Sequence, residues 1–277
     1  MNEERLSLRN FFMTNATEIQ KDIQQVPFST LPDENRGVRL GLVVLETDLT
    51  IETEMRYFLA SSDDSKEPIS LIHTRIACDD CVTKENLKLM EPRFKDALSL
   101  LPKNYEFDVV GYGCTSASLL IGENTIDRIV KSQIATQHVT TPLTAVKRGL
   151  AALGVKTIGY LAPYVSEISQ EMCDDLTENG WKIGSAATFG ENRDSIVGNI
   201  SPNSIIAGVR QMKKNNESLE GIFIACTSLK CSQIINQLES ELNIPIISSN
   251  SAIAWDMLRL SGATNSLERK GRLFRVS

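Results

Sequence analysis

The chain has 277 residues, of which 42% are hydrophobic and 23% charged, and its formal net charge is −6 at pH 7. This length and composition predict a soluble globular protein with one large core or two ordinary ones. The acidic balance and the lack of a Lys/Arg stripe argue against nucleic acid as a partner. Apolar runs fall far short of the roughly 18 residues of a membrane span, and the N-terminus does not resemble a signal peptide. We therefore predict a cytoplasmic protein with no membrane partner.

The first part of the chain holds one series of strand and helix patterns. Residues 1–36 are mostly polar, with one helical pattern at 16–25, and are interpreted as an N-terminal extension without chemistry. Apolar runs then predict strands at 38–45, 69–75, 107–111 and 137–141. Helical patterns lie between and after them, at 50–60, 83–101, 121–131 and 145–153.

The same order then begins again. Strands are predicted at 155–161, 182–187, 221–225 and 245–248, and helices at 166–179, 204–214, 233–241 and 252–261. Gly41 and Gly159 occupy equivalent places in the two series, and so do Gly154 and Gly262, which suit helix C-caps.

Alternating strands and helices predict parallel sheets with helices on both faces. We therefore predict an α/β fold of two pseudo-symmetric, doubly wound, flavodoxin-like lobes, with the active site in the cleft between them. The first lobe would comprise residues 37–143 plus 252–277, and the second lobe residues 144–251. The sequence is compatible with a homo-oligomer and leaves the oligomeric state open.

The most informative feature is a repeated Cys-Thr-Ser segment at the end of a buried strand. The first copy begins at Cys114 and the second at Cys226. Ligands of parallel α/β sheets bind at the carboxyl ends of the strands, so both thiols are predicted to face one cleft. A buried cysteine can also be an inert core residue, but the duplication favours a functional pair.

Helix N-termini are predicted after both cysteines, where the dipole and free N–H groups would lower the thiol pKa. The hydroxyls of Thr115, Ser116, Thr227 and Ser228 are candidate ligands for a substrate carboxylate, although helix capping alone also explains them. The loops after the first strand of each series add Asp48 and Tyr164 as candidate binding residues.

Other motifs carry less information. Cys78 and Cys81 form a CxxC, which can serve a redox or zinc site, but no second CxxC or CxxH follows and the chain has only two histidines. We therefore predict free thiols and no metal. No Walker motif or complete dinucleotide fingerprint occurs, so no cofactor is expected.

These residues resemble the aspartate/glutamate racemase superfamily, and within it the maleate cis-trans isomerase, arylmalonate decarboxylase and ectoine-utilisation branch. The resemblance covers roughly residues 37–265 and is carried by 111–116, 225–228, 47–52 and 162–164.

The resemblance implies a cofactor-independent isomerase or racemase acting on a small carboxylate. The cysteine matching Cys114 would attack an alkene carbon, and the cysteine matching Cys226 would donate and recover a proton. The decarboxylases keep only the second cysteine, so Cys114 argues against plain decarboxylation. Tyr164 matches the substrate-binding tyrosine of the family, and Asn192 is a candidate for the asparagine of the second half.

One position departs from the isomerase pattern. Asp48 stands where the isomerases carry an asparagine that binds a substrate carboxylate, and an ionised aspartate would repel that group. Two alternatives therefore stay open. One is an ectoine-degradation type of lyase or hydrolase, or a decarboxylase of the same superfamily. The other is a two-lobed small-molecule binding protein without catalysis.

Overall fold

The computed structural model describes residues 24–30, 37–60, 68–263 and 270–276. The chain divides into two units, Met1–Arg36 and Gly37–Ser277. The helical pattern predicted at 16–25 lies outside the described residues except for its last two positions, which have no regular secondary structure. No helix in the described ranges is both long and apolar enough to cross a membrane.

Two four-stranded parallel sheets form the centre of the second unit. Their strand orders are β2-β1-β3-β4 and β6-β5-β7-β8, so the second sheet repeats the topology of the first. The strands of the first sheet are β1 Val38–Leu45, β2 Ile69–Ile76, β3 Phe107–Gly113 and β4 Thr136–Thr140. Those of the second are β5 Thr157–Ala162, β6 Lys182–Thr188, β7 Gly221–Ile224 and β8 Ile246–Ser248. The predicted α/β class with two parallel sheets is confirmed.

Helices connect the strands in both series. In the first series they are Ile51–Leu59, Lys84–Lys88, Met90–Leu98, Thr115–Ile121, Glu123–Gln133 and Pro142–Ala152. In the second they are Ser166–Glu178, Asp194–Val197, Pro202–Asn215, Ile235–Leu242 and Ser249–Leu260, followed by a 3-10 helix at Arg272–Arg275.

Two predicted helices are wrong in their continuity. The single helix predicted at 83–101 is two helices that meet at Leu89. Pro92 explains the break, because proline has no N–H for a continuing helix but is tolerated in a first turn. The helix predicted at 121–131 is likewise preceded by a separate one, and Gly122 lies between them at φ +86°.

The order of the strands decides where a ligand can bind. β1 pairs with β2 on one side and β3 on the other, and β5 pairs with β6 and β7 in the same way. The chain therefore leaves these central strands in opposite directions, which opens a crevice at their carboxyl ends. Each sheet has one such crevice. The residues that follow β1 and β3 line the crevice of the first sheet, and those that follow β5 and β7 line the crevice of the second.

Gly113, the last residue of β3, lies in a closely packed region. A Cβ added there would lie 2.7 Å from Ile51 Cδ1 and 3.1 Å from the Val43 carbonyl oxygen. We expect Gly113→Ala to lower the free energy of unfolding by about 1–3 kcal/mol, because the core must shift to accept the methyl group. Urea denaturation measures the change. Gly198→Ala is the control, since its nearest contact would be an ordinary 3.6 Å; equal losses in both variants would contradict the packing argument.

Candidate active site

Cys114 directly follows β3 and caps the helix Thr115–Ile121. Its backbone is extended, and its Sγ accepts a hydrogen bond from the Ala117 N–H at 3.4 Å. The Ser116 Oγ lies 3.7 Å from the same sulfur. Because the first N–H groups of a helix have no partner within the helix, the sulfur satisfies one of them, as predicted for a thiol at this junction.

Cys226 follows β7, but no helix begins there. Residues 227–234 form turns and loop, and the next helix starts at Ile235, so the predicted helix N-terminus is wrong for the second thiol. The physical reason is the backbone of Cys226, whose φ of +95° turns the chain away from the helical direction. A non-glycine residue pays of the order of 1 kcal/mol for this conformation. The thiol is therefore oriented by a strained turn.

The Ser249 hydroxyl joins the two cysteine segments. Its oxygen accepts hydrogen bonds from Thr115 Oγ1 at 2.8 Å and from the Cys226 N–H at 3.0 Å. Thr227 Oγ1 adds a second link by donating to the Gly113 carbonyl at 3.3 Å. Ser249 was not predicted from the sequence. The signal for it was the run of polar residues at 248–251, which starts with the last residue of the buried strand β8 and is itself buried.

A buried carboxylate holds the turn that follows Cys226. Glu54, on the helix Ile51–Leu59, accepts hydrogen bonds from the N–H groups of Cys231 at 3.1 Å and Ser232 at 2.9 Å. The Ser232 hydroxyl donates to the same carboxylate at 2.5 Å. A residue of the first half thus fixes the loop that carries the second thiol.

Both thiols line one cavity at the carboxyl ends of the strands. The centre of a water molecule can occupy about 20 Å³ of it, which is room for about one water. The lining also contains Cys78, Cys81 and Asp194, none of which was assigned a role from the sequence. The structure brings together seven of the nine predicted site residues in this lining: Cys114, Thr115, Ser116, Tyr164, Cys226, Thr227 and Ser228.

The other two predicted residues do not line this cavity. Asn192 lines a separate depression, and its backbone carbonyl accepts a hydrogen bond from the Val82 N–H. Asp48 is fully buried, and its Oδ1 accepts from the N–H groups of Thr50 at 2.7 Å and Ile51 at 2.9 Å. Its Oδ2 has no hydrogen-bond partner among the residues that the structure describes, and burial raises the pKa of this carboxyl.

Two loops meet beside the cavity and contribute lining residues to it. The Asp194 N–H donates to the Asp80 carbonyl at 2.9 Å, and the Ser195 N–H and hydroxyl each donate to the Asp80 carboxylate at 2.8 Å. This 80/194 contact joins the segment after β2 to the segment after β6. Because the cavity has room for only about one water, we expect an organic substrate to enter when this contact opens.

We expect Asp80→Ala to increase the rate at which iodoacetamide alkylates Cys114 and Cys226, because the variant removes the side-chain half of the 80/194 contact. Mass spectrometry of the two cysteine peptides measures the rate. Asp127→Ala is the matched control, since Asp127 pairs with Lys131 on the helix Glu123–Gln133 and does not line the cavity. Unchanged rates in Asp80→Ala would show that the thiols are reached by another route.

Asp194 is the only buried carboxyl residue in the described cavity lining, and its side chain has no Lys or Arg partner among the described residues. Its Oδ2 accepts from Thr47 Oγ1 at 2.7 Å and its Oδ1 from Ser228 Oγ at 3.4 Å. Burial, together with the negative charges of Asp48 and Asp80, raises the pKa of Asp194 to about 6. Little in the sequence distinguishes it, because one aspartate in a polar loop is an ordinary residue until the fold brings it beside two thiols.

The predicted lowering of the thiol pKa values is wrong. Burial raises the pKa of Cys114 to about 12, and the charge of the Asp194 carboxylate acts in the same direction. Hydrogen bonds from the Ala117 N–H and Ser116 favour the thiolate but do not offset burial. Burial and Asp194 also raise the pKa of Cys226 well above its usual value, with the Tyr164 hydroxyl acting in the opposite direction. Desolvation of a buried thiolate outweighs one capping N–H, so both groups are neutral thiols in the closed cavity.

Asp194 should carry a stability penalty that depends on pH. Its folded-state pKa lies above the usual 3.8, so ionisation opposes folding. The penalty is absent below about pH 4, grows up to about pH 6 and is complete above it. We expect Asp194→Asn to raise the free energy of unfolding by up to about 3 kcal/mol at about pH 8 and to lose this gain at about pH 4. Denaturant titrations at the two pH values test this, with the exposed Glu178→Gln as control; a gain that is equal at both pH values would contradict it.

The chain has two repeated parallel sheets, a cysteine after the third strand of each sheet, and one cavity lined by both thiols. These features define a class of α/β proteins whose site lies at the carboxyl ends of the strands of both sheets. Residues 97–274 match the family model described as arylmalonate decarboxylase, and the chain belongs to that family.

The chain is similar to several maleate isomerases. It is 22% identical over 229 residues to the maleate isomerase of Geobacillus stearothermophilus, covering 80% of this chain and 90% of that protein. It is 24% identical over 245 residues to the maleate isomerase of Nocardia farcinica, covering 86% and 95%. A solved cysteine-to-serine variant of the Nocardia farcinica maleate cis-trans isomerase, with a covalently bound succinylcysteine intermediate, matches the fold with a TM-score of 0.78 at 24% identity, covering 86% of this chain and 98% of that one.

Proposed function

We propose that this protein is a cofactor-independent isomerase of a small carboxylate, similar to the maleate cis-trans isomerases, and that Cys114 and Cys226 are its catalytic residues. The observation that carries the proposal is the meeting of two thiols, from equivalent positions of a repeated sheet, in one closed cavity. The kinship with maleate isomerases and the succinylcysteine intermediate of one of them support the same chemistry.

The geometry suits a reaction in which one thiol adds and the other transfers a proton. The Cys114 thiol would first lose its proton to water as the cavity opens to admit the substrate, and the resulting thiolate would form a bond to one alkene carbon. The Cys226 thiol would give its proton to the other carbon. The C–C bond of this adduct is single, so its two ends can rotate. Return of the proton to Cys226 and cleavage of the C–S bond then release the trans alkene and restore both sulfurs.

The cavity also supplies groups for a substrate carboxylate. The hydroxyls of Ser116, Tyr164 and Ser228 all belong to lining residues, and hydroxyl donors to a carboxylate make strong charge-assisted hydrogen bonds. Tyr164 lies beside Cys226, where its hydroxyl favours the thiolate. The Tyr164 hydroxyl is thus placed to contact both the substrate and the proton-transferring thiol.

A second candidate is proton exchange at the carbon next to a carboxylate, as in racemisation. Two thiols that line one cavity are compatible with it, because racemisation needs a thiolate base on one face of the carbon and a thiol donor on the other. The lyase or hydrolase alternative was motivated by Asp48, which lies outside the cavity lining.

Isotope exchange distinguishes these reactions. We expect conversion of maleate to fumarate, or deuterium incorporation next to the carboxylate of an amino acid, when the protein is incubated in D₂O and followed by NMR. Cys114→Ser and Cys226→Ala should each lower the rate at least ~100-fold. Cys173→Ala is the control, because Cys173 is buried in the helix Ser166–Glu178 and does not line the cavity. Full activity in Cys226→Ala would rule out the two-thiol mechanism.

A further inference from the structure

Cys226 has a backbone conformation that a residue with a side chain disfavours. Its φ is +95°, and such a conformation persists in a folded protein only when the surrounding contacts hold it. The 227–232 turn, which follows directly, is buried except for Lys230. Its polar groups therefore need partners inside the protein. The direction of the Cys226 thiol thus depends on the groups that anchor this turn.

The first anchor lies at the start of the 227–232 turn. The Cys226 N–H donates to Ser249 Oγ at 3.0 Å, and the Thr227 carbonyl accepts a hydrogen bond from Asn250 Nδ2 at 2.8 Å. Ser249 Oγ also accepts from Thr115 Oγ1, so this anchor is shared with the segment of the other cysteine. Its loss would disturb both thiols.

The second anchor is the carboxylate of Glu54, which holds the end of the turn. Glu54 is only 4% exposed, and it accepts hydrogen bonds from the N–H groups of Cys231 at 3.1 Å and Ser232 at 2.9 Å. The Ser232 hydroxyl donates to it at 2.5 Å. Cys231 is fully buried, so its N–H would lose its partner if the carboxylate were removed. None of these partners belongs to the segment that follows Cys114.

We propose that Glu54 is a positioning residue for the thiol that transfers the proton. It holds the end of the 227–232 turn, and thereby keeps the Cys226 sulfur directed at the substrate carbon without acting on Cys114. Glu54 does not line the cavity, so it acts only through the turn. This inference rests on the proposed function for the role of Cys226 and deepens it by assigning the residue that orients this thiol.

The expected effect falls on proton transfer and not on substrate binding. Glu54→Ala leaves two buried N–H groups without partners, so the 227–232 turn must shift. With maleate as the probe, we expect kcat to fall about 10- to 100-fold and KM to stay within about twofold, because a displacement of the order of 1 Å costs a reacting group this much. The solvent deuterium isotope effect on kcat should increase, since proton transfer becomes the slowest step. A raised KM with an unchanged isotope effect would overturn the proposal.

Glu239 provides a matched control for the loss of a buried carboxylate. It is also 4% exposed, and it accepts hydrogen bonds from the N–H groups of Ile246 at 3.0 Å and Arg272 at 2.8 Å. It does not line the cavity. We expect Glu239→Ala to lower stability as Glu54→Ala does, but to keep the wild-type kcat and isotope effect. An equal loss of kcat in both variants would show that Glu54 has only a structural role.

Two conservative variants separate the hydrogen bonds from the charge. In Glu54→Gln the amide oxygen can accept from both N–H groups and the amide nitrogen can donate to the Ser232 hydroxyl, so kcat should stay within about threefold of wild type. Glu54→Asp keeps the charge but is one methylene shorter, so it should be slow, and it replaces Glu54→Ala if that variant does not fold. A glutamine variant as slow as the aspartate variant would contradict positioning through these hydrogen bonds.

Alkylation reports on the position of the thiols without any substrate. The ratio of the iodoacetamide alkylation rates of Cys226 and Cys114, measured by mass spectrometry of the two peptides, cancels a general opening of the cavity. This ratio should rise at least about threefold in Glu54→Ala and stay at the wild-type value in Glu239→Ala. An unchanged ratio in Glu54→Ala would overturn the proposal. Failure of the proposed function gives a different result, namely no turnover by the wild-type protein while the ratio still rises.

Discussion

The reversal of strand order beside β1 and β5 is the constraint on which the rest of the molecule depends. It opens one crevice in each sheet, and because the two sheets have the same topology, equivalent loops supply equivalent side chains. The two halves of the site nevertheless differ in the local structure around each cysteine. Cys114 caps a helix, whereas Cys226 lies in a strained turn. The repeat supplies two thiols, and its departures from symmetry allow them different roles.

Burial controls the chemistry of this site more than helix electrostatics does. An N–H group favours the Cys114 thiolate, yet loss of solvent and the nearby Asp194 raise the pKa of both thiols. The same loss of solvent keeps the pKa of Asp194 near 6. A cavity with little water thus keeps both thiols neutral, whereas Asp194 is ionised above about pH 6. The protonation states of these groups are therefore coupled.

The fold was largely accessible from the sequence, because buried parallel strands are continuous apolar runs and the pattern occurs twice. Gly154 was also predicted correctly to follow a helix C-terminus, where it adopts a φ of +69°. The two wrongly continuous helices were interrupted by Pro92 and Gly122, signals that are visible but were outweighed by periodicity. Seven of the nine predicted site residues line the cavity, as expected from one rule about strand ends.

The remainder depended on contacts between distant segments. Ser249 and Asp194 join the site through hydrogen bonds that span more than a hundred residues, to Thr115 and Thr47 respectively. The depth of burial that raises the thiol pKa values is likewise a property of the assembled cavity.

The backbone of Cys226 has a consequence for how such a site is maintained. At φ +95° glycine would be free of the strain that a side chain suffers, so replacing this cysteine by glycine, a change within reach of one nucleotide, would relax the turn. The gain from the relaxed turn would be opposed by the loss of a buried side chain and by the larger entropy that glycine loses on folding. A cysteine at this position is therefore held in a conformation that its own backbone disfavours.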